Sequence, residues 1–203
     1  MRSGTRETEI KLAVASAAAA RRRLRALGFR LLTPRRLERN WVYDTPARTL
    51  KARGCLLRLR TVGRKHWLTF KSPAAHARHF KVRREFEVEL RDNQLVEKIL
   101  AGLGFQPVFR YEKFRATFAA RRRLSRRGRD WPGGVVTLDE TPIGVFLELE
   151  GSRVWIRRVA RALGAHPAQF ITQNYASLYA AWCRRRKRRP THMVFRPRRR
   201  GLS

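Results

Sequence analysis

Acidic residues are scarce in this 203-residue chain, where 15 aspartates and glutamates stand against 48 lysines and arginines. The formal net charge of +33 indicates attraction to polyanions, whether nucleic acid, phospholipid headgroups or a phosphate-rich small molecule. Lysine is rare as well, with only eight of the 48 basic residues, and arginine is spread along the whole chain. Part of the positive charge therefore reflects general arginine usage, and charge alone does not choose among the three partners.

Cysteine and long apolar runs are also lacking. Cys55 and Cys183 match no metal-binding or redox spacing, which excludes a disulfide framework and favours a reducing compartment. No run is long enough to cross a bilayer. The apolar run 12–20 has glutamates before it and arginines after it, the wrong charge order for an export signal. We therefore expect a cytoplasmic protein without a membrane span.

The length and the hydrophobic content of 43% suffice for one domain with a proper core. Residues 184–203 contain ten basic residues and no acid, which is typical of a solvated tail. We therefore expect a folded domain over residues 1–183 and a basic, disordered tail over 184–203.

Alternating polar and apolar side chains predict about eight β-strands. Helical spacing appears in fewer places, and Ser16 and Gly28 bracket the first helix as an N-cap and a stop. Strands without a βαβ rhythm predict an α+β fold, with an antiparallel sheet or barrel and helices outside. The expected strands are residues 5–13, 29–43, 56–62, 66–71, 80–90, 108–119, 135–140 and 145–151; the expected helices are 16–28, 93–103, 152–164 and 173–183.

Several of these strands carry charge at every second position and apolar residues between. In an ordinary β-sandwich the charged face of a strand is solvated. Each of these motifs, taken alone, is more often a solvated face than a binding site. In a barrel wrapped by helices the same face lines the lumen, where charges must be paired, hydrated or bound to ions. The charged sets are Glu7, Glu9 and Lys11; Arg58 and Arg60; Lys71; Glu85, Glu87 and Glu89; Lys113 and Arg115; and Glu148 and Glu150.

A lumen of this kind suits triphosphate chemistry. Mg²⁺ and Mn²⁺ prefer oxygen ligands and bridge phosphate oxygens, so paired glutamates are suitable anchors. Arginine makes bidentate contacts with phosphate, and lysine supplies a compact charge.

In order along the chain, these motifs resemble those of CYTH-domain proteins of the triphosphate tunnel metalloenzyme superfamily, over roughly residues 5–179. Residues 7–11 match the Glu-x-Glu-x-Lys signature, 43–45 the aromatic-Asp-Thr segment, and 54–60 the Gly-x-x-Leu-Arg-x-Arg stretch. Lys71, the acidic strand 84–89, the pair Lys113 and Arg115, and the closing segments 138–139 and 148–151 also have counterparts.

The resemblance implies a closed eight-stranded antiparallel β-barrel, a tunnel that binds a triphosphate together with Mg²⁺ or Mn²⁺. It implies metal ligands at Glu7, Glu9, Glu148 and Glu150, with Asp139 on the metal side. It implies phosphate contacts from Lys11, Arg58, Arg60, Lys71, Lys113 and Arg115. We expect Lys11 and Glu87 to be catalytic, Glu87 through a water- or metal-directed role for which Glu85 competes. Some members place a C-terminal lysine or a tyrosine near the tunnel mouth, and the sequence does not distinguish Lys187 from Tyr175 for that position.

For function, the sequence lacks a clear adenine-recognition motif, which favours a triphosphatase acting on inorganic or thiamine triphosphate. The alternative within the family is a class IV-type adenylate cyclase that converts ATP to cyclic AMP and pyrophosphate. An alternative of another class is a non-catalytic polyphosphate- or nucleic-acid-binding protein, suggested by the net charge and by the basic residues between 184 and 200.

Overall fold

The computed structural model describes residues 2–77, 80–120 and 133–196, and within these ranges the chain forms nine β-strands and five α-helices. In chain order they are β1 (Arg2–Val14), α1 (Ala17–Ala26), β2 (Phe29–Asp44), α2 (Thr49–Ala52), β3 (Leu56–Val62), β4 (Lys65–Lys71), β5 (Ala75–Ala77), β6 (Phe80–Leu90), α3 (Asn93–Gly102), β7 (Gln106–Ala120), β8 (Gly134–Thr141), β9 (Gly144–Gly151), α4 (Arg153–Ala162) and α5 (Tyr175–Arg185).

Eight of these strands form a closed barrel. The strand order is β1-β9-β8-β7-β2-β3-β4-β6, and β1 also pairs with β6, which closes the ring. Each neighbouring pair of the eight is antiparallel. The three-residue β5 adds to β6 outside this ring. The α+β fold with a closed eight-stranded barrel is thus confirmed.

The apolar face of the barrel wall points outward and is covered by helices. On β1, Ile10 and Leu12 are buried in a core that includes Leu24 of α1 and Ile156 of α4. On β3, Leu57 and Leu59 pack in a second core with Leu100 of α3. Since successive side chains of a strand point to opposite faces, the charged residues between these positions face the lumen.

Most predicted elements form within a few residues of the expected bounds. The Ser16 side chain accepts a hydrogen bond from the backbone N–H of Ala19 and caps α1 as predicted. Gly28 follows the helix with a φ of +84°, a left-handed conformation that suits glycine. The short elements α2 and β5 had no counterpart in the sequence pattern.

The C-terminal segment differs from the expected disordered tail. Helix α5 runs to Arg185, and Met193 is fully buried. The backbone of Met193 accepts a hydrogen bond from Glu112 and donates one to Arg110, because β8 pairs with β7 only from Phe114 onward and leaves this edge open. The prediction of a disordered tail is therefore wrong for residues 184–196, and residues 197–203 lie outside the described ranges.

None of the helices in the described ranges has the length and hydropathy of a membrane span.

Candidate active site

A cavity of about 390 Å³ occupies the barrel lumen. Among the residues that the structure describes, eight basic and six acidic side chains line it. The basic ones are Lys11, Arg58, Arg60, Lys71, Lys81, Arg83, Lys113 and Arg115, and the acidic ones are Glu7, Glu9, Glu85, Glu87, Glu148 and Glu150. The lumen thus brings together every predicted site residue except Asp139. Its lining has two more basic than acidic side chains.

The acidic side of the lumen is built from the adjacent strands β1 and β9, whose register places Glu9 opposite Glu150 and Lys11 opposite Glu148. The ammonium group of Lys11 lies 3.4 Å from a carboxylate oxygen of Glu9 and 3.3 Å from one of Glu148. Burial alone would lower the pKa of Lys11, but the two carboxylates outweigh it and raise that pKa. Lys11 is therefore a permanent positive charge within the acidic side.

Glu7 and Glu85 form a carboxyl pair around one lysine. Lys71 Nζ lies 2.7 Å from an oxygen of each. Burial, helped by neighbouring Glu9 and Glu85, outweighs Lys71 and raises the pKa of Glu7 to about 8. For Glu85 burial opposes ionisation, but hydrogen bonds with Glu7 and Lys71 lower its pKa to about 2. The raised pKa of Glu7 and the lowered pKa of Glu85 favour a proton shared between these two carboxyl groups, on the Glu7 side.

The basic side is built from β3 and β7 and is held in place by buried partners. Arg60 forms an ion pair with Glu87 and lies 3.7 Å from Glu38. Arg58 donates to the hydroxyls of Tyr111 and Thr69. Glu38, on β2, is buried beside these cations; although burial alone would raise its pKa, Lys113, Arg115 and Arg60 lower it to about 2. The cations are therefore held by carboxylates behind them.

Asp139 is buried inside the barrel beneath the cations of this basic side. Its side chain has no exposed surface, and it does not line the cavity. It accepts hydrogen bonds from Lys113 at 2.9 Å, from Arg115 at 2.6 Å to each oxygen, and from the Tyr175 hydroxyl at 2.7 Å. This geometry makes Asp139 the counter-ion of two phosphate-binding candidates.

Helix α5 lies across one end of the lumen. Asn174, Tyr175 and Ala176 line the cavity there, and the Tyr175 ring contacts Tyr111 and Phe146 at centroid distances of 6.0 and 5.8 Å. Lys187 is exposed and follows the end of α5. Of the two candidates for the C-terminal contribution, the structure places Tyr175 in the lumen.

Sequence reasoning missed several lumen residues. Lys81 and Arg83 precede Glu85 at the same period of two on β6, so extending that alternation backward would have found them. Glu89, at the other end of the strand, pairs with Lys65 at the exposed rim of the barrel. Asn40 is fully buried on the lumen face of β2, and neither atom of its amide has a hydrogen-bond partner. No charge pattern marked Asn40.

The sequence matches the family model of the CYTH domain over residues 5–154. The chain belongs to the CYTH family. Membership supports an enzyme that acts on triphosphates and that depends on a divalent metal. Comparison with curated protein sequences gives no significant match.

Several solved structures align with this chain over nearly their whole length. A Vibrio parahaemolyticus protein described as a candidate adenylate cyclase has a TM-score of 0.70 at 20% identity, covering 88% of this chain and 99% of its own. A Pyrococcus horikoshii protein has a TM-score of 0.69 at 23% identity, and the alignment covers 86% of this chain and 98% of its own. A Hippeastrum protein has a TM-score of 0.61 at 20% identity, and the alignment covers 91% of this chain and 97% of its own. That protein is described as a candidate adenylyl cyclase with a dominant triphosphatase activity. These likenesses support the fold.

The residues of this CYTH chain fit the divalent metal that the family implies. In the described part of the chain no three acidic, histidine or cysteine side chains are already grouped as a metal site, because the glutamates contact lysines and arginines instead. Yet burial raises the pKa of both Glu7 and Glu150, so a further cation beside them would favour their ionised form. Clustered carboxylate oxygens that need positive charge are a donor set for Mg²⁺ or Mn²⁺.

Proposed function

We propose that this chain is a divalent-metal-dependent triphosphatase that hydrolyses an inorganic or organic triphosphate inside the barrel. The single observation that carries the proposal is the distribution of charge in the lumen, with a carboxylate-rich side on β1 and β9, a basic side on β3 and β7, and both kinds of charge on β6, which pairs with β1. A metal–triphosphate complex has the same division, since the metal needs oxygen ligands and the phosphates need cations.

The phosphate-binding groups are Arg58, Arg60, Lys113 and Arg115, with Lys11 and Lys71 at the border of the acidic side. Glu38 and Asp139, buried deeper in the barrel, hold Arg60, Lys113 and Arg115 without covering them, since these three cations still line the cavity. Preorganised cations stabilise the charge that develops on phosphate oxygens more strongly in a confined lumen than in water.

Glu7, Glu9, Glu148 and Glu150 would hold Mg²⁺ or Mn²⁺. When bound, the metal supplies neutralisation of phosphate charge and activation of a water molecule. Asp139 is assigned to the phosphate side instead, because three residues already donate to its two oxygens.

Glu87 is the better candidate for orienting the attacking water. Glu85 forms an ion pair with Lys71 and a hydrogen bond with Glu7, next to the acidic side. Glu87 lines the cavity beside the phosphate-binding Arg60 and accepts a hydrogen bond from Thr69. A carboxylate next to a phosphate-binding arginine is well placed to accept a proton from water that attacks the bound phosphate.

The second candidate is cyclisation of ATP to cyclic AMP. The observation in its favour is the apolar and amide surface that Phe109 and Asn174 add near α5, which could hold a base and its ribose. The dominant triphosphatase activity of the Hippeastrum protein supports hydrolysis as the first choice.

The decisive experiment incubates the full chain with Mg²⁺ or Mn²⁺ and, separately, tripolyphosphate, thiamine triphosphate or ATP. We expect phosphate release that requires the metal, without cyclic AMP. Glu148→Ala should abolish the activity and weaken Mn²⁺ binding, whereas Glu89→Ala, at the exposed rim, should leave both unchanged. If no substrate gives either product and Glu148→Ala binds Mn²⁺ like the wild type, the proposal fails; cyclic AMP as the main product would favour the second candidate.

A further inference from the structure

Helix α5 is fastened across the lumen end by backbone pairing on both sides of it. Before the helix, Ile171 exchanges two hydrogen bonds with Lys11 of β1, at 2.8 and 2.9 Å. After the helix, Met193 pairs with β7 next to Tyr111. Both contacts use strand edges that neighbouring barrel strands leave open, so the position of α5 is tied to the two strands that carry Lys11 and Lys113.

Tyr175, the first residue of α5, is the point at which the helix reaches those lysines. Lys11 Nζ lies 5.4 Å and Lys113 Nζ 5.2 Å from the centroid of its ring. Its hydroxyl donates to Asp139 at 2.7 Å, to the same oxygen that accepts from Lys113 and Arg115. One buried tyrosine thus contacts two candidate phosphate ligands directly and a third through a shared carboxylate.

We propose that Tyr175 is a positioning residue for the phosphate-binding groups Lys113 and Arg115, acting through Asp139. The proposal rests on the triphosphatase function proposed above and extends it to the C-terminal helix, which lies beyond the matched residues 5–154. The hydroxyl orients the Asp139 carboxylate, and the carboxylate in turn holds the Lys113 ammonium and Arg115 guanidinium groups in place at the cavity lining.

The chemistry of Tyr175 fits a fixed donor. Burial and the Asp139 carboxylate raise the pKa of Tyr175 well above its ordinary value, so the hydroxyl keeps its proton at neutral pH. It can therefore donate to Asp139 continuously, and it is not suited to exchanging a proton with substrate.

The test compares Tyr175→Phe with Tyr179→Phe in the full chain. Tyr175→Phe keeps the ring and its contacts with the lysines and removes only the hydroxyl. Tyr179 lies one turn further along the same helix and packs against Phe109 and Trp182, so its variant is a matched control for a lost tyrosine hydroxyl. Two quantities are measured: the Kd for tripolyphosphate by calorimetry in EDTA, and kcat and KM with Mg²⁺.

We expect Tyr175→Phe to raise the Kd and KM by roughly tenfold, as for loss of a hydrogen bond to a charged group, and Tyr179→Phe to change neither. The same substitution is then made in an Asp139→Asn background. In that background Tyr175→Phe should raise the Kd and KM by less than about twofold, because the effects of substitutions at residues that act through one another are not additive. If Asp139→Asn does not fold, Lys113→Gln serves as the second background.

A Tyr175→Phe variant with the Kd and KM of the wild type would overturn the proposal, as would an equal loss in both backgrounds. A wild-type protein that binds tripolyphosphate without hydrolysing it would refute the proposed triphosphatase only, since the Kd still tests Tyr175. A wild type that binds no triphosphate would overturn both.

Discussion

Two lysine–carboxylate pairs in this barrel have nearly the same length and different surroundings. Lys65 and Glu89 lie 3.1 Å apart at the rim, with 64% and 54% of their side chains exposed. Lys113 and Asp139 lie 2.9 Å apart inside the barrel, with 3% and 0% exposed. Water solvates the first pair whether or not it forms, whereas the second pair has no solvent to replace a lost partner.

The comparison shows why one residue pattern has two meanings. Glu85, Glu87 and Glu89 follow one another at a period of two on β6, yet the first two line the lumen and the third is solvated. Burial, and not the motif, converts alternating charge into an organised site. Each prediction below changes a buried group and compares it with an exposed one.

The largest effect is expected from Lys113→Ala. Removal of one partner from a buried ion pair typically costs about 3–5 kcal/mol, because the remaining charge stays desolvated. Asp139 and Glu38 would both lose a cation. The free energy of unfolding, measured by guanidinium denaturation, should fall by this amount.

Lys65→Ala is the exposed counterpart and should change the free energy of unfolding by less than about 1 kcal/mol. Equal losses for Lys65→Ala and Lys113→Ala would mean that the lumen is hydrated enough to act like the surface.

The next effect concerns the C-terminal segment, which also has a buried and an exposed part. Met193 has no exposed surface and packs with Tyr111, whereas Arg189, four residues earlier, is exposed. Met193→Ala leaves a cavity and should cost about 2–5 kcal/mol. Arg189→Ala should be neutral. A melting temperature unchanged by Met193→Ala would show that the segment does not stabilise the barrel.

Glu38 gives a smaller effect that depends on pH. Its pKa is lowered to about 2 by the surrounding cations, so the unfolded chain takes up a proton here before the folded one does. Its contribution is therefore complete above about pH 5 and is lost as the pH falls toward 2. Between pH 5 and pH 3 the wild type should lose roughly 2 kcal/mol more than Glu38→Gln in denaturation experiments.

For Glu38 the control is Glu140→Gln. Glu140 lies outside the lumen and pairs with Arg21 and Arg35. If wild type and Glu38→Gln lose stability in parallel as the pH falls, Glu38 is not ionised more readily in the folded chain than in the unfolded one.

The sequence was sufficient for the barrel and for most of its lining because the same alternation specifies both. Strand β1 shows this directly: Ile10 and Leu12 need helices to cover them, and this requirement places Glu9 and Lys11 in the lumen. The pattern within one strand cannot show closure, which depends on β1 pairing with β6, 72 residues away at Glu9↔Lys81 and 85 residues away at Arg2↔Glu87. That step came from the ordered resemblance to the CYTH family.

The parts that the sequence did not predict depend on contacts between distant segments. Asp139 looked like a metal-side residue in sequence, and its hydrogen bonds with Lys113, Arg115 and Tyr175 show that it faces the basic cluster. Met193 lies in an arginine-rich stretch whose composition is typical of a tail, and the open edge of β7 outweighs that composition. Local pattern carries no signal for either contact.

The smallest effect tests an intermediate case. Glu140 lies between the two extremes, with a quarter of its side chain exposed and two arginines, Arg21 and Arg35, at 2.8 and 2.9 Å. Since Arg35 also stacks on Phe114, with its guanidinium carbon 3.5 Å from the ring centroid, its geometry is already restricted and little side-chain entropy is lost in pairing. Glu140→Gln should therefore cost close to 1 kcal/mol, the upper end for surface pairs, and the cost should shrink in 1 M salt because exposed charges are screened. If the loss were as large as that of Lys113→Ala, or insensitive to salt, then Glu140 would behave like the buried ion pairs. Ion pairs outside the lumen would then also depend on burial for their strength.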